Sequence, residues 1–340
     1  MLLTPLLLMG ALPAPFTPVL ITRPAADTVQ VAEWLVPWGD SRPRDPYVDP
    51  TSGRIWFVGQ AGNYIAVFDP KTEEFKRYET DPGVHPHNLI VDEKGTVWYA
   101  GNRAAHIGKL DPATGKITKY MMPDSAARDP HTLIFDGRGN IWFSVQGGNM
   151  VGRLAMANGK VDLVRMTRPR ARPYGIVVDP SGRPWFDESG TNRIGTVDPK
   201  TLELKEYDLP HERARPRRIA MTSDGMVWYG DYSRGYLGRL DPKTGEVKEW
   251  PNPSGQQSLP YAMAVDDQDR IWFVETGPKP NLLVGFDPKT ETFFSKTPIL
   301  PSGAGTVRHM VFHQPTRAIW FGTDTNQLGR AVIPTRELLP

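Results

Sequence analysis

Seven polar or aromatic side chains recur at one fixed place in a repeated sequence. Eleven residues before each of six tryptophans stand His87, His131, Tyr174, Arg217, Tyr261 and His309. In the first copy a turn is one residue longer, and the counterpart is Arg44. Proline precedes six of the seven: Pro43, Pro86, Pro130, Pro173, Pro216 and Pro260. A second set lies three residues after each tryptophan, where three consecutive copies carry Glu188, Asp231 and Glu275. Histidines opposite carboxylates suit either proton transfer or a hard divalent cation, Mg²⁺ or Ca²⁺. Taken singly, each histidine reads as a hydrogen-bonded channel residue and each acid as a loop acid. Taken as a position-locked set, they read as a ligand site.

The elements that must position these groups follow from the repeat itself. A tryptophan followed by Phe or Tyr recurs at Trp56, Trp98, Trp142, Trp185, Trp228, Trp272 and Trp320, in steps of 42, 44, 43, 43, 44 and 48 residues. Each copy holds four short strand-like runs, and Asp-Pro turns recur at Asp69-Pro70, Asp111-Pro112, Asp198-Pro199, Asp241-Pro242 and Asp287-Pro288. Asp bonds nearby backbone and Pro presets φ, so this dipeptide marks tight turns. Four antiparallel strands in about 40–45 residues is the size of a propeller blade. The expected fold is all-β, a seven-bladed propeller. The last copy lacks a fourth strand, and V-Q-V-A-E-W-L-V-P (29–37) resembles the fourth strands elsewhere. That segment is expected to pair into blade seven and close the ring, which removes open strand edges.

Composition narrows the function. The 340 residues carry a net charge of +2, which argues against a broad nucleic-acid footprint. With no cysteine, disulfides, thiolate metal sites and cysteine nucleophiles are excluded. The first 22 residues are apolar and uncharged, and the run before the prolines is too short to span a bilayer. Residues 1–26 read as an export leader, residues 27–340 as one monomeric propeller, and the periplasm or the exterior as its location. No Ser-His-Asp pattern, phosphate loop or dinucleotide fingerprint is present.

The motifs P-H-N-L-I (86–90), P-H-T-L-I (130–134), R-P-Y-G-I (172–176), N-R-I-G (192–195) and I-W-F-V-E (271–275) make the chain similar to the virginiamycin B lyase (streptogramin lyase) family. The likeness runs over nearly the whole chain after residue 28. It implies a seven-bladed propeller that opens a cyclic depsipeptide at its ester by Mg²⁺-assisted elimination. Residue by residue, it implies His131 as the base that removes a proton α to the ester carbonyl and His87 as the group on the leaving side. Asp129, in the triplet Asp129-Pro130-His131, would hold the metal. The family's second metal-binding Glu falls on Val145, and Glu188 on the next blade is the candidate substitute. Arg44, Tyr174, Arg217, Tyr261 and His309 would contact substrate, and Asp231 and Glu275 would complete the acidic side. Two other readings stand beside it: an exported propeller that binds a small ligand or a partner protein without turnover, and a metal-dependent lactonase.

Overall fold

The computed structural model describes residues 29–335. The export-leader reading falls on residues outside that range. Seven four-stranded antiparallel sheets are arranged as blades, six of them running in sequence order from the channel outward and the seventh taking its outermost strand from the start of the described chain. Their innermost strands are Pro43–Val48, Pro86–Val91, Pro130–Phe135, Pro173–Val178, Pro216–Met221, Pro260–Val265 and Val307–His313. Contacts link each innermost strand to the next around the ring, blade seven to blade one included. Among the described residues no helix is long and apolar enough to cross a membrane.

The ring closes as the sequence implies. Strand Gln30–Leu35 pairs antiparallel with Gln327–Val332, with Trp34 opposite Leu328, and supplies the fourth strand of blade seven. The first and last described strands thus share one sheet, so the ring has no unpaired seam between them.

The repeated tryptophans fix the blades from inside. In six blades the indole packs on an aromatic ring of the outermost strand. Examples are Trp98 on Tyr120 at 5.7 Å, Trp228 on Trp250 at 5.4 Å and Trp320 on Trp34 at 5.6 Å between ring centres. In blade three Arg153 lies over Trp142 instead. Hairpin side chains accept the indole N–H: Asp92 from Trp98 at 3.0 Å and Asp266 from Trp272 at 2.9 Å. The next aromatic needs room on the neighbouring strand. A Cβ at Gly108 or Gly195 would collide with the ring of Tyr99 or Phe186, which is why the third strands read I-G.

One irregularity, present in all seven blades, determines what faces the channel. Each innermost strand pairs normally at its start, then slips register before pairing resumes. In blade two Pro86 opposes Gly101 and Leu89 opposes Tyr99, so His87 and Asn88 together oppose the single residue Ala100. Such a bulge re-aims side chains and locally breaks the two-residue alternation of a strand. In blades one, two, four and six the residue before the ring proline (Arg42, His85, Arg172 and Leu259) has a positive φ of 45–55°. For residues other than glycine that conformation costs about 1–3 kcal/mol. The strain sits at the mouth, where chain direction sets the aim of the following side chain.

Candidate functional site

The bulges stack two layers of side chains on the propeller axis. The front layer, nearest the face where the innermost strands begin, holds six of the seven repeat-locked residues. In blade seven, whose hairpin is one residue longer, Val307 opposes Thr323, so Arg308 takes the front position and the expected His309 falls in the second layer. Arg44, His87, His131, Tyr174 and Tyr261 are buried, while Arg217 and His309 are partly exposed. His87, His131, Tyr174, Tyr261 and Arg217 form a continuous chain of ring contacts. His87 and His131 lie 3.6 Å apart between ring centres, and His131 and Tyr174 lie 4.1 Å apart. The hydroxyls of Tyr174 and Tyr261 are hydrogen-bonded to each other. Arg217 lies over Tyr261 at 4.5 Å, over Tyr232 at 4.3 Å and over Tyr174 at 5.6 Å.

The second layer was not evident from the sequence. It follows the first by one residue in each blade and includes Asp45, Asn88, Thr132 and Arg218, all buried. Arg218 reaches from blade five to Asp45 at 3.3 Å, to Thr132 Oγ1 at 3.2 Å and to the Arg308 carbonyl at 2.8 Å. Asp45 also accepts from Arg44 Nε at 3.0 Å and from Asn88 Nδ2 at 3.1 Å. This network divides the channel. Behind it, a largely apolar funnel of about 430 Å³ opens toward the back face, and His309 lines it together with Arg218, Met263 and Val311. In front lies a separate cleft of about 560 Å³ lined by Arg217, Tyr232 and Arg172 among others.

The electrostatics follow from burial and from the two arginines. Burial alone would raise the Asp45 carboxyl, but Arg44 and Arg218 outweigh it and hold the group well below the usual carboxylate range. The same burial, with Arg44 and Arg218 nearby, keeps His87 well below its ordinary value. His131 is held down in the same way, by burial first and then by His87 and the arginines. His309 is pushed down to about 4 by burial, against the pull of Asp45. All three imidazoles are therefore neutral at pH 7. His131 Nδ1 is 2.8 Å from Thr132 Oγ1. His87 Nδ1, His309 Nδ1 and Arg44 Nη2 are buried without a hydrogen-bond partner. Each such group costs about 1–3 kcal/mol, so the front layer, through His87 and Arg44, has unspent capacity to bond a carbonyl or hydroxyl.

The sequence pattern of the Virginiamycin B lyase family matches residues 102–334. That is more than half of the chain. The chain belongs to the virginiamycin B lyase family. Solved relatives agree in fold. A streptogramin B lyase structure is 26% identical, with 89% of this chain and 97% of that one covered and a TM-score of 0.80. Virginiamycin B lyase from Staphylococcus aureus is 22% identical. Its selenomethionine-substituted form and a catalytically inactive histidine-to-alanine variant with quinupristin each cover 90% of this chain and 100% of theirs, at a TM-score of 0.81. At that identity the likeness speaks for the fold alone. No curated protein sequence matches the chain.

Within this family member the two histidines come together, but the four carboxylates do not join them. The second strands do end at the front face, as Pro173 opposite Glu188 and Pro216 opposite Asp231 show. The acid side chains, however, are used by their own loops. Asp129 accepts the backbone N–H groups of Gly147 and Gly148. Asp231 accepts from Arg215 N at 3.0 Å and pairs with Arg234 at 3.1 Å. Glu275 accepts from the backbone and hydroxyl of Ser254. Glu188 accepts from Thr191 Oγ1 at 2.8 Å, and burial beside Glu206 pushes its carboxyl up to about 8. Val145 is fully buried in an apolar cluster. Among the described residues no three His, Asp or Glu groups stand close enough to hold a metal ion. A Mg²⁺ site built from these acids does not fit the residues as they are arranged, because each carboxylate is already bonded in a different loop or kept protonated by burial.

Proposed function

We propose that this propeller binds a small cyclic ester or depsipeptide at its front mouth and opens it by elimination, with His131 as the base. The observation that carries this reading is the neutral, contacting His87–His131 pair beside the unpartnered His87 Nδ1 and Arg44 Nη2. A neutral imidazole has a free lone pair to accept a proton at pH 7, although burial beside Arg44 and Arg218 makes His131 a weaker base than a free histidine. In the proposed step it takes the proton from a carbon adjacent to a carbonyl. The C–H electron pair becomes a C=C bond, the C–O bond on the next carbon breaks, and the ester leaves as a carboxylate. Arg44 and Arg217 are the groups suited to charge that develops on the carbonyl oxygen. No step is assigned to a metal.

A second reading is favoured by Val145 and by the engaged Asp129. Without free carboxylates, the same mouth serves as a binding site with no turnover, in a protein exported to the periplasm or the exterior. Mass spectrometry of a streptogramin B-type depsipeptide, incubated with the full chain with Mg²⁺ or with EDTA, separates the readings. A ring-opened product of unchanged mass, lost in His131→Ala, supports elimination. A product heavier by one water supports hydrolysis. Intact substrate in every arm leaves the binding reading.

A further inference from the structure

The front cleft between blades three and five carries four arginines: Arg170, Arg172, Arg215 and Arg217. None of them is ion-paired to a carboxylate among the described residues, and no acid lines the cleft. Arginines elsewhere usually have partners. Arg54 pairs with Asp69, Arg153 with Asp162, Arg183 with Asp198 and Arg193 with Glu206. A net charge of only +2 does not force such a local excess.

The acids nearest the cleft do not relieve it. Asp231 is committed to Arg234 and to backbone N–H groups. Asp187 and Glu188 are both fully buried, and desolvation pushes both carboxyls up, that of Glu188 to about 8. The cleft therefore keeps a positive field in a partly desolvated setting, where charge acts more strongly than in open water.

The arginines are also positioned. The rings of Tyr232, Tyr261 and Tyr174 surround the Arg217 guanidinium at 4.3, 4.5 and 5.6 Å, which holds it in place without pairing it to a carboxylate. The loop that presents Arg170 and Arg172 is pinned to the next turn. Gly190 N–H donates to the Ala171 carbonyl at 2.8 Å, and Ser189 N–H donates to the Arg172 carbonyl at 3.1 Å. Gly190 packs so closely that a Cβ there would strike the Arg170 carbonyl. Arg170 and Arg172 both take left-handed backbone, with φ of 57° and 55°. Two strained residues in one pinned loop place two cations on the same rim.

We infer that this cleft is a binding site for an oxyanion carried on a small organic molecule, a carboxylate or a phosphate, gripped by Arg217 and Arg172. Arginine's planar fork matches both anions. The cleft is continuous with the candidate site through Arg217, whose ring partner Tyr174 contacts His131. The inference goes beyond the ring-opening reading and holds equally for a ligand bound without turnover.

Calorimetry on the full chain at low salt tests it with three probes: N-acetylphenylalanine, its neutral amide, and phenyl phosphate. Saturable binding of one or both anions, with the amide at least about tenfold weaker, is the expected result. Which anion binds more tightly tells carboxylate from phosphate. Arg217→Met and Arg172→Ala should each weaken binding by about tenfold or more, and added salt should weaken it further. Arg172 is exposed and lies outside the tyrosine stack, so its variant tests the site even if Arg217→Met fails to fold. Arg138→Ala, at the back face, is the control. Equal binding of acid and amide, no binding by either anion, or full binding by Arg172→Ala would overturn the inference. No ester is present in this assay, so its result is independent of whether the protein opens rings.

Discussion

Arg218 of blade five and Asp45 of blade one meet across the propeller axis, Nη2 to Oδ2 at 3.3 Å, and both are buried. The residues are 173 positions apart, so the contact joins opposite sides of the ring. It also separates the front layer of histidines and tyrosines from the apolar funnel behind. Burying charges is costly, and removing one partner of a buried pair usually costs about 3–5 kcal/mol. Asp45→Asn should fall in that range, because it leaves Arg44 and Arg218 uncompensated. The double variant Asp45→Asn with Arg218→Met should recover part of the loss. Urea unfolding of both, with a double-mutant cycle, measures the coupling. Additive costs would mean that the pair is not energetically linked.

Acid should destabilise the fold in two stages. His309 is held at about 4, and His87 and His131 well below their usual value. The unfolded chain takes up these protons near 6.5, whereas the folded chain refuses them until lower pH. Folding stability contributed by the three imidazoles is thus complete above about 6.5 and is lost as pH falls toward 4. Asp45, held below the usual carboxylate range, adds a second loss below about 4 by the same sign. Urea midpoints at pH 7.5, 5.5 and 4.5 should fall in order. His309→Gln should flatten the decline from 6.5 to 4. A midpoint unchanged over that interval would contradict the buried neutral imidazoles.

Much of this was legible in the chain itself. The tryptophan spacing and the Asp-Pro turns define seven blades because each blade repeats one packing problem: an indole, an outer-strand ring and a glycine that makes room. The missing fourth strand of the last copy pointed to residues 29–37. The front layer was legible through the prolines that begin the strands. Asp45, Asn88, Thr132 and Arg218 were hidden because a regular strand sends successive side chains to opposite faces, and the bulge removes that rule. The signal was present one residue past each ring position, where blades one and five carry opposite charges. The carboxylates were misleading for a different reason. Strand register places Glu188, Asp231 and Glu275 at the front face, but unpaired loop N–H and hydroxyl groups claim their side chains, and sequence alone does not show that competition.

Glu188 gives an alkaline prediction of opposite sign. Its carboxyl is pushed up to about 8 by burial, beside Glu206. The unfolded group loses its proton near 4.5, so the stability that Glu188 contributes is lost as pH rises toward 8. Glu188→Gln keeps a neutral side chain of the same length that can bond Thr191. It should match the parent near pH 4.5 and exceed it at pH 9 by about 1–3 kcal/mol, the usual cost of an ill-satisfied buried polar group. Thermal melts at the two pH values measure this. A variant less stable than the parent at pH 9 would show that Glu188 is ionised and needed as an anion, which would reopen a cation site at this position.

The closing strand offers a comparison between adjacent residues. Trp34 stacks on Trp320 of blade seven at 5.6 Å and meets Phe68 of blade one at 5.2 Å, and its indole N–H donates to Glu73 at 3.0 Å. Its ring therefore bridges the last blade and the first. Leu35, the next residue, points away and is 66% exposed. Truncating a half-buried bridging indole should cost about 2–4 kcal/mol, toward the lower end of values for tryptophan in a core. Truncating an exposed leucine should change stability by no more than about 0.5 kcal/mol. The two substitutions touch the same strand and leave its backbone pairing to Gln327–Val332 in place. Any difference between them reports the indole contacts across the seam rather than strand formation. Urea unfolding of Trp34→Ala and Leu35→Ala should give clearly separated midpoints, and coincident midpoints would mean that backbone pairing alone holds the ring closed.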